Sequence, residues 1–387
     1  MRKINVLHII TKLELGGAQE NTLYSVANHD REKYNVFLIS GTEGELVEDA
    51  KGIKDAQIIL LPELKHKISP FYDIYCLLKL WRLFKKYKID IIHTHSSKAG
   101  ILGRFAGYLA KIPIIIQTIH GFSFNDYQNF FVRNLYIFFE RIAAKISDKL
   151  IAVTKIDIEK GLKAKVGVAE QYTVIHSGIN IDEFSSQHKE VEVRKEFNIP
   201  LDYKIVGMIA CFKPQKNPLD FIRVAKIVKE SFSKVKFILV GDGELRPDIE
   251  KLISELNLHN DVILTGWRRD VAEILSSFNV LVLTSLWEGL PRVFPEAMAE
   301  RKPIVATSVD GAKEVIINGE NGFLLEPKNL KGMAEKITYL LNNENIAKKM
   351  GECGFNIAKS FDAKEMVKDI EEVYELKIAD GELRIKG

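Results

Sequence analysis

The feature that most constrains this chain is one pattern that runs along it twice. Short, almost continuous apolar segments rich in β-branched residues alternate with amphipathic helical segments. Strands of this kind belong to parallel sheets that are buried on both faces, because the crossover helices cover each face. The pattern predicts seven strands between residues 4 and 175 and six more between residues 204 and 324.

The length of the chain, 387 residues, exceeds what one hydrophobic core usually supports, which is about 250–300 residues. A polar, non-periodic stretch from Asp182 to Lys195 separates the two runs of the pattern. We therefore predict an α/β protein with two Rossmann-like, doubly wound parallel-sheet domains that face each other across a cleft. The predicted domains are residues 1–185 and 186–362, with a last helix over about 363–387 that crosses back to the first domain by analogy with such folds.

The composition is that of a globular protein, with 46% hydrophobic and 28% charged residues. The cysteines Cys76, Cys211 and Cys353 lie far apart, so they form neither a disulfide framework nor a metal-binding motif. No stretch approaches the roughly 20 apolar residues of a transmembrane helix. These observations predict a cytoplasmic protein that can still contact a membrane surface.

The charge is unevenly distributed, although the net charge is only +3. Residues 51–111 contain 12 Lys and Arg against 4 Asp and Glu. This basic excess has two interpretations: solvated helix faces, or attraction to anionic lipid head groups or an acidic acceptor. No nucleic-acid recognition motif accompanies it, so nucleic acid is not predicted as a partner.

Ligands of doubly wound sheets bind beyond the carboxyl ends of the strands, and several candidate residues occupy such positions in the first half. Gly16 and Gly17 follow the first predicted strand and open a helix. Glycine allows the backbone to approach a phosphate, and a helix start offers unpaired N–H groups; the alternative is a tight turn that binds nothing. The spacing is not Gly-x-Gly-x-x-Gly, so a dinucleotide cofactor is not predicted.

Histidines form the second set of candidates in the first half. His120 follows an apolar strand, either as a structural residue or as a hydrogen-bond donor to a sugar hydroxyl or to a developing charge. His93 and His95 lie at another strand end and are a conceivable metal pair. No carboxylate or third histidine is close to them in sequence, so we predict no metal site.

Charged residues follow the strands of the second half. Lys213 and Lys216 lie beside a strand end, where they suit a diphosphate or else a solvated loop. Glu288 lies on a predicted loop and Glu296 in the first turn of the next helix, beside Pro295. The helix start can bind phosphate and Glu296 can accept hydrogen bonds from a ribose diol. The two carboxylates are also compatible with helix capping or with a glycosidase acid–base pair.

Metal-dependent sugar transferases commonly hold their divalent ion on an Asp-x-Asp motif, and this sequence contains none. Lysines and helix ends would have to meet the charge of a diphosphate instead. The sequence therefore favours a metal-independent site without a cofactor.

Taken together, these motifs resemble those of the family-4 retaining glycosyltransferases, which have two Rossmann-like domains in the GT-B architecture. The resemblance covers nearly the whole chain, and the two glutamates separated by seven residues are its most specific mark. The motifs are Gly16-Gly17-Ala18-Gln19, His93 to Gly100, His120-Gly121-Phe122, Ile175 to Asn180, the Lys216 loop, Gly241-Asp242-Gly243, Thr265-Gly266 and Glu288 to Ala299.

The resemblance implies a role for each matching residue. In the first half, the Gly17 N–H, next to Gly16, should approach the donor diphosphate, and His120 should touch the transferred sugar. In the second half, Lys216 should neutralise the departing diphosphate and Glu288 should hold a sugar hydroxyl. The remaining implied donor contacts are backbone N–H groups of Gly289, Leu290, Val293 and Phe294, the ribose-binding carboxylate of Glu296, and Arg268 beside the base.

The chain departs from the family pattern at two places. The family commonly has an arginine a few residues before the loop lysine, where this chain has Cys211. Lys213 is positioned to replace that charge, which leaves the diphosphate geometry open. His176-Ser177 stands where the family usually has Pro-Asn.

The function implied is retaining, metal-independent transfer of a sugar from a nucleotide-sugar, UDP-linked in the first place and GDP-linked in the second. The acceptor expected by analogy is a glycan or lipid-linked glycan in cell-surface polysaccharide assembly. An aromatic-rich helix, Phe130 to Arg141, is interpreted mainly as core and partly as a face that meets anionic membrane. A sugar phosphorylase, a sugar-nucleotide epimerase and a non-catalytic nucleotide-sugar-binding protein remain alternatives.

Overall fold

The computed structural model describes residues 2–65, 67, 69–125, 127–185 and 190–382. The chain divides into two compact units, and each has its own parallel sheet. Unit 1 consists of Met1–Gly178 together with Ala363–Gly387, and unit 2 is Ile179–Asp362. The predicted α/β class with two doubly wound parallel sheets is confirmed.

Unit 1 has a seven-stranded sheet of order β3-β2-β1-β4-β5-β6-β7 in which every pairing is parallel. Its strands are β1 (Ile4–Ile9), β2 (Tyr34–Ser40), β3 (Ala56–Leu60), β4 (Ile91–Thr94), β5 (Ile114–Ile119), β6 (Lys149–Ala152) and β7 (Tyr172–Val174). Its helices are α1 (Gly17–Asn28), α2 (Val47–Lys51), α3 (Pro70–Lys86), α4 (Ser97–Ala110), α5 (Phe130–Lys145), α6 (Lys155–Lys163) and, after unit 2, α16 (Ala363–Lys377). A 3-10 turn, Ala169–Gln171, precedes β7, and a π-helical turn, Ile378–Glu382, follows α16.

Unit 2 has a six-stranded parallel sheet of order β10-β9-β8-β11-β12-β13. Its strands are β8 (Lys204–Ile209), β9 (Val235–Val240), β10 (Val262–Gly266), β11 (Val280–Leu283), β12 (Ile304–Thr307) and β13 (Gly322–Leu325). Its helices are α7 (Ile181–Ser185), α8 (Glu190–Glu196), α9 (Pro218–Ser231), α10 (Arg246–Glu255), α11 (Val271–Ser276), α12 (Val293–Ala299), α13 (Ala312–Val315), α14 (Leu330–Asn342) and α15 (Glu344–Ala358). A 3-10 turn, Lys359–Phe361, ends the unit.

The unit 1 sheet is buried on both faces, which explains its continuous apolar strands. Alternate β1 residues belong to different cores: Val6 packs with α1, α2 and α16, whereas Leu7 packs with α3 and α4. Because side chains of a strand alternate between faces, His8 lies on the same face as Val6, towards α1 and α16. The sheet therefore places a polar residue inside an otherwise apolar layer.

The sequence marks several helix starts locally. The Asn129 side chain accepts a hydrogen bond from the Phe131 N–H at the start of α5, and Thr154 caps α6 through the Asp157 N–H. Pro70 and Pro218 occupy the first turns of α3 and α9, where a missing N–H costs nothing. These caps fix where the chain turns from strand ends into helices.

The stretch between the two halves differs from the expected linker. Residues 181–185 and 190–196 are helical, and residues 186–189 lie outside the described part. The unit boundary falls at residue 178 rather than at 185, because α7 packs on α12 and Ile179 bridges to Asp362 within unit 2. The chain returns to unit 1 at Ala363, where α16 packs against α1.

None of the helices among the described residues is both long enough and apolar enough to span a lipid bilayer.

A buried ion pair joins two helices of unit 1 and generates a stability prediction. Arg104 on α4 is fully buried, and its Nη2 lies 2.7 Å from Oε2 of Glu140 on α5. Replacing Glu140 with Ala leaves the guanidinium buried without its carboxylate, which should lower the free energy of unfolding of unit 1 by about 3–5 kcal/mol. Chemical denaturation followed by peptide-resolved hydrogen exchange would report unit 1 separately.

The control is Glu48→Ala, since Glu48 makes a surface ion pair with Lys51 three residues away. An exposed pair of this kind contributes about 0–1 kcal/mol. Equal losses in the two variants would contradict the role assigned to the Arg104–Glu140 pair.

Candidate functional site

Each sheet has one point where the strand order reverses: between β1 and β4 in unit 1, and between β8 and β11 in unit 2. Doubly wound sheets bind ligands at such switch points, beyond the carboxyl ends of the strands. In unit 1 the predicted residues Gly16 and Gly17 follow β1. In unit 2 the predicted residues Lys216 and Glu288 follow β8 and β11. The fold thus gives each unit a candidate site of its own where the sequence predicts ligand-binding residues.

The start of α1 has no capping side chain in the way of a ligand. Helix α1 has twelve residues and begins at Gly17, with Gly16 as its N-cap and no side chain hydrogen-bonded at the cap. The backbone of Gly16 is extended, a conformation that any residue adopts. A side chain at this position would instead meet Oε1 of Gln19, 2.9 Å from its Cβ. The phosphate-binding role of Gly16 and Gly17 remains a prediction.

His120 follows β5 and is half-buried. Its Nε2 lies 3.1 Å from Nδ1 of His95. Burial lowers the pKa of His120 to about 4, so the imidazole is neutral at physiological pH. A neutral imidazole has one donor and one acceptor nitrogen, so His120 suits a hydroxyl rather than a phosphate. It lines a small cavity with His95, Asn21, Thr118 and His176.

His93 and His95, considered above as a metal pair, belong to a larger buried cluster. His93 is the register partner of His8 in the parallel pairing of β4 with β1, which brings the rings together on the α16 side of the sheet. Ligand nitrogens of His8, His93 and His95 all lie within 4.8 Å of one another. Burial lowers the pKa of all three imidazoles well below the ordinary value, which keeps the cluster neutral.

All six nitrogens of this trio already have hydrogen-bond partners. His93 contacts the Tyr374 hydroxyl and the Thr118 hydroxyl, each at 2.6 Å. His8 contacts His29 and His95, and His95 also contacts His120. A metal ion would have to displace these bonds, so the arrangement fits a hydrogen-bonded network better than a metal site.

An ion pair forms the centre of the candidate site of unit 2. Nζ of Lys216, on the loop between β8 and α9, lies 2.5 Å from Oε1 of Glu288, on the loop between β11 and α12. The Glu288 side chain is 5% exposed and that of Lys216 is 18% exposed. The lysine therefore compensates a nearly buried carboxylate while its own side chain remains partly exposed at the switch point.

Neighbouring hydrogen bonds hold the two loops together. Gln215 accepts from the Leu286 N–H at 2.8 Å through its carbonyl and donates to the Trp287 carbonyl at 3.0 Å through its side chain. The Asp310 carboxylate accepts from the Glu288 N–H at 3.0 Å. These contacts within the protein orient the Lys216–Glu288 pair without the help of a ligand.

The second carboxylate of the motif is paired as well. Glu296 is buried in the first turn of α12, and its Oε1 lies 3.3 Å from Nη2 of Arg292. Leu290 is buried beside Gly289 in the preceding loop, and Val293 begins the helix. The N–H of Phe294 donates to the Pro291 carbonyl at 3.0 Å, so a phosphate at that amide would have to replace this bond.

Arg268 is held away from a simple base-contacting role. Its guanidinium donates to Asp270 at 2.6 and 2.8 Å and also to Glu196. The hydrogen bonds with Asp270 and Glu196 raise the pKa of Arg268. Two carboxylates therefore already use the donors through which Arg268 would contact a nucleobase, and its contact with donor remains only a prediction.

The Cys211 departure lies beside the Lys216 loop. The Lys213 N–H donates to the Cys211 carbonyl at 2.8 Å, and the Lys216 N–H donates to the Lys213 carbonyl at 3.0 Å. Lys213 is thus part of the same tight loop as Lys216, which is compatible with its replacing the charge of the missing arginine.

Sequence reasoning missed Gln215, Asp310 and Arg292. Asp310 follows β12, so its position after a strand was the available signal. Arg292 lies within the glutamate motif, four residues before Glu296, where opposite charges meet on a helix. Glu371 on α16, which contacts His29, had no local signal at all.

Profiles of two sequence families match this chain. The one described as Glycosyltransferase Family 4 matches residues 15–183. The one described as Glycosyl transferases group 1 matches residues 189–357. The first match covers unit 1 up to its boundary and the first five residues of unit 2, and the second match lies within unit 2.

Curated relatives extend the match to nearly the full length. The Escherichia coli protein named UDP-Gal:alpha-D-GlcNAc-diphosphoundecaprenol alpha-1,3-galactosyltransferase is 30% identical over 376 residues, 96% of this chain and 97% of the relative. A Campylobacter jejuni protein named N,N'-diacetylbacillosaminyl-diphospho-undecaprenol alpha-1,3-N-acetylgalactosaminyltransferase is 29% identical over 75% of this chain and 78% of its own length.

A solved structure supports the fold. Anabaena HepE in complex with UDP-glucose superposes with a TM-score of 0.82 at 21% identity, covering 96% of this chain and 99% of HepE. At that identity the likeness concerns the fold alone. The relative at 30% identity over almost the whole chain shows the family, and this protein is a glycosyltransferase that belongs to glycosyltransferase family 4, of the GT-B fold.

Proposed function

We propose that the protein transfers a sugar from a UDP-sugar, with retention and without a metal ion, to a lipid-linked glycan in cell-surface polysaccharide assembly. The observation that carries this proposal is the Lys216–Glu288 ion pair at the switch point of unit 2, with Glu296 eight residues further along. The name of the E. coli relative specifies a UDP-sugar donor and a diphosphoundecaprenol-linked acceptor. A GDP-sugar donor is the second alternative.

The proposed donor contacts follow from charge and hydrogen-bonding capacity. Lys216 would neutralise the diphosphate, and Glu296 would accept hydrogen bonds from the ribose diol. Glu288 would accept from a sugar hydroxyl through Oε2, which has one long contact of 3.5 Å from Gln215 Nε2, because Oε1 is the atom paired with Lys216. In unit 1, the open start of α1 at Gly17 would approach the diphosphate, and neutral His120 would meet a sugar hydroxyl.

In the proposed reaction the bond between the anomeric carbon and the diphosphate oxygen breaks. A bond from the acceptor hydroxyl oxygen to the same carbon forms on the same face, and the hydroxyl proton passes to the departing phosphate oxygen. The protein then needs no carboxylate base of its own. It needs a cation near the leaving group and a site from which water is excluded. Lys216 meets the first requirement.

Independence from metal ions is proposed from the pairing of the carboxylates. A divalent ion on a diphosphate needs oxygen ligands from the protein. Here Glu288 is paired with Lys216, Glu296 with Arg292, and Asp310 accepts from a backbone N–H. These pairings favour direct neutralisation of phosphate by Lys216.

The lipid-linked acceptor is proposed from a surface of unit 1. The aromatic residues of α5 were interpreted mainly as core, but Phe130, Phe131 and Phe138 are exposed, Phe131 to 79%. Phe71 on α3 is 88% exposed, and α4 packs between α3 and α5. We call the exposed apolar residues of α3, α4 and α5 the aromatic face; its other members are Tyr72, Ile74, Tyr75, Leu78, Tyr108, Leu109, Val132, Leu135 and Phe139.

Exposed apolar area of this extent is typical of an interaction site. Six of the 12 basic residues between positions 51 and 111 lie on α3 and α4, two of the helices that carry the aromatic face. Four of the six are on α3: Lys79, Arg82, Lys85 and Lys86. Aromatic residues next to lysines suit the interface of an anionic membrane. This combination supports peripheral contact with a membrane that carries the acceptor, on the cytoplasmic side.

Donor binding should be visible as thermal stabilisation. UDP and its sugar conjugates should raise the melting temperature, because a ligand that binds only the folded protein stabilises it by mass action. The shift should persist in EDTA and shrink in Glu296→Ala, but not in Glu320→Ala on an exposed loop of the same unit. If none of the nucleotides raises the melting temperature, the phosphorylase or the non-catalytic alternative is favoured. Loss of the shift in EDTA would contradict metal independence.

Lys216→Ala should lower kcat at least ~10²-fold, the effect of losing one charge-stabilising group at the reacting centre. The same change leaves the Glu288 carboxylate nearly buried without its cation, so the melting temperature must be measured alongside. Lys226→Ala, which breaks an exposed pair on α9, is the control and should leave turnover unchanged. A folded Lys216→Ala protein with near-normal turnover would exclude the proposed role.

Membrane contact should depend on the aromatic face. The double variant Phe131→Ser, Phe138→Ser should bind anionic vesicles at least tenfold more weakly, because burying one such side chain contributes about 1.5–3 kcal/mol. Leu201→Ser, at an exposed apolar position of unit 2, is the matched control. Vesicle co-sedimentation measures the binding. Wild-type protein that stays in the supernatant at low salt would instead indicate a soluble acceptor.

A further inference from the structure

Five groups form one continuous chain of hydrogen bonds through the buried part of unit 1. Oε1 of Glu371 on α16 lies 2.8 Å from Nδ1 of His29. Nε2 of His29 lies 2.9 Å from Nε2 of His8, and Nδ1 of His8 lies 3.0 Å from Nε2 of His95. Nδ1 of His95 lies 3.1 Å from Nε2 of His120. We call these residues the histidine relay; it connects a carboxylate on the last helix to the imidazole at the end of β5.

The relay has one consistent arrangement of protons when Glu371 is ionised and all four imidazoles are neutral. A carboxylate only accepts hydrogen bonds, and each neutral imidazole donates from one nitrogen and accepts at the other. His29 must therefore carry its proton on Nδ1 and accept at Nε2 from His8. His8 in turn accepts at Nδ1 from His95. His95 then accepts at Nδ1 from His120.

The surroundings favour a charged Glu371 carboxylate and neutral rings at His8, His95 and His120. Burial alone would raise the pKa of Glu371, but hydrogen bonds from His29 and from the Asp30 N–H hold it below its ordinary value. Burial lowers the pKa of His8 and His95 well below the ordinary value and that of His120 to about 4. Protonation of His8, His95 or His120, which would break the order, is thereby opposed at neutral pH.

Other polar groups around the relay do not compete for its nitrogens. His93 stacks on His95 with ring centroids 4.4 Å apart, but its own nitrogens are bonded to Tyr374 and Thr118. Among the described residues, no hydrogen bond involves Nδ1 of His120. This nitrogen belongs to a half-buried residue that lines the cavity with Asn21 and His176.

We propose that Glu371, acting through His29, His8 and His95, fixes His120 in the tautomer with the proton on Nε2, so that Nδ1 is a hydrogen-bond acceptor for a ligand hydroxyl. Glu371, His29, His8 and His95 are thus positioning residues. The ligand named here, a sugar hydroxyl of the donor, rests on the proposed function; the proton order within the relay does not. The sequence interpretation of His120 as a donor to a hydroxyl is thereby replaced by an acceptor role.

The tautomer can be read directly by NMR. Protein with ¹⁵N-labelled histidine gives long-range ¹H–¹⁵N correlations whose pattern distinguishes protonation at Nε2 from protonation at Nδ1, and a His120→Gln spectrum assigns the His120 signals. We expect His120 in the Nε2–H form in the wild-type protein at neutral pH. His120 protonated on Nδ1 would overturn the inference without any further variant.

Two substitutions at Glu371 separate its acceptor oxygen from its charge. Glu371→Leu removes the acceptor, so both proton orders become accessible and the His120 signals should move towards a mixture of tautomers. Glu371→Gln keeps an oxygen that the Asp30 N–H orients towards His29, so the wild-type tautomer should return. The matched control is Glu375→Leu, one turn along α16, where the lost contact is an exposed ion pair with Lys33. An unchanged His120 pattern in folded Glu371→Leu protein would also overturn the inference.

Activity distinguishes this inference from the proposed function. Loss of one oriented hydrogen bond to the donor should reduce kcat/KM for the donor about five- to tenfold in Glu371→Leu, with recovery in Glu371→Gln. A shifted tautomer with unchanged kcat/KM would support the relay and contradict the proposed contact between His120 and the donor. Reduced kcat/KM with an unshifted tautomer would contradict the relay and leave the proposed function intact.

Discussion

Parallel strand pairing is the constraint on which the candidate chemistry depends. Hydrogen bonding of β1 to β4 and of β8 to β11 brings the carboxyl ends of strands that are distant in sequence to one edge of each sheet. Loops that leave those ends are then neighbours, and this is how Lys216 meets Glu288 across 72 positions of sequence. The same pairing makes His8 and His93 register partners. Without it, the motifs would be unrelated segments of sequence.

The buried carboxylates of unit 2 are paired with cations of the protein itself, without a substrate. Glu288 and Glu296 are both nearly buried, and a buried carboxylate without a partner would be costly. Lys216 and Arg292 remove that cost, and the Asp310 carboxylate orients the backbone of Glu288. The result is a set of charged groups whose positions are fixed by one another. Such preorganisation suits a reaction in which a charged leaving group must be stabilised.

Much of this fold could be predicted from the sequence because the signals are local. Continuous apolar strands, glycines and prolines at helix starts, and charged residues after strands all lie within a few residues of what they predict. The two-sheet α/β class and the family follow from such signals. The roles assigned to the site residues, His120, Lys216, Glu288 and Glu296 among them, stay predictions.

The features that sequence reasoning could not supply depend on tertiary neighbours. Arg268 is hydrogen-bonded to Glu196, 72 residues away, and this contact has no signal in the residues around Arg268. The aromatic residues of α5 have helical periodicity, yet the buried side of that helix consists of Ile137, Glu140, Ala143 and Ala144. The partner of His29, Glu371, is 342 residues away.

The order of the chain has a consequence for how the protein is made. Unit 2 is an uninterrupted insertion in unit 1, and the unit 1 core includes Met366, Val367, Ile370 and Tyr374 of α16. Domains fold as units during synthesis, ordinarily beginning with the one nearest the N-terminus. On the ribosome this order is reversed: unit 2 has all its residues while unit 1 still waits, with part of its apolar surface uncovered, for its last helix. Glu371 is delivered by that same helix, so His29, His8, His95 and His120 receive their terminal carboxylate only after the whole of unit 2 has been synthesised.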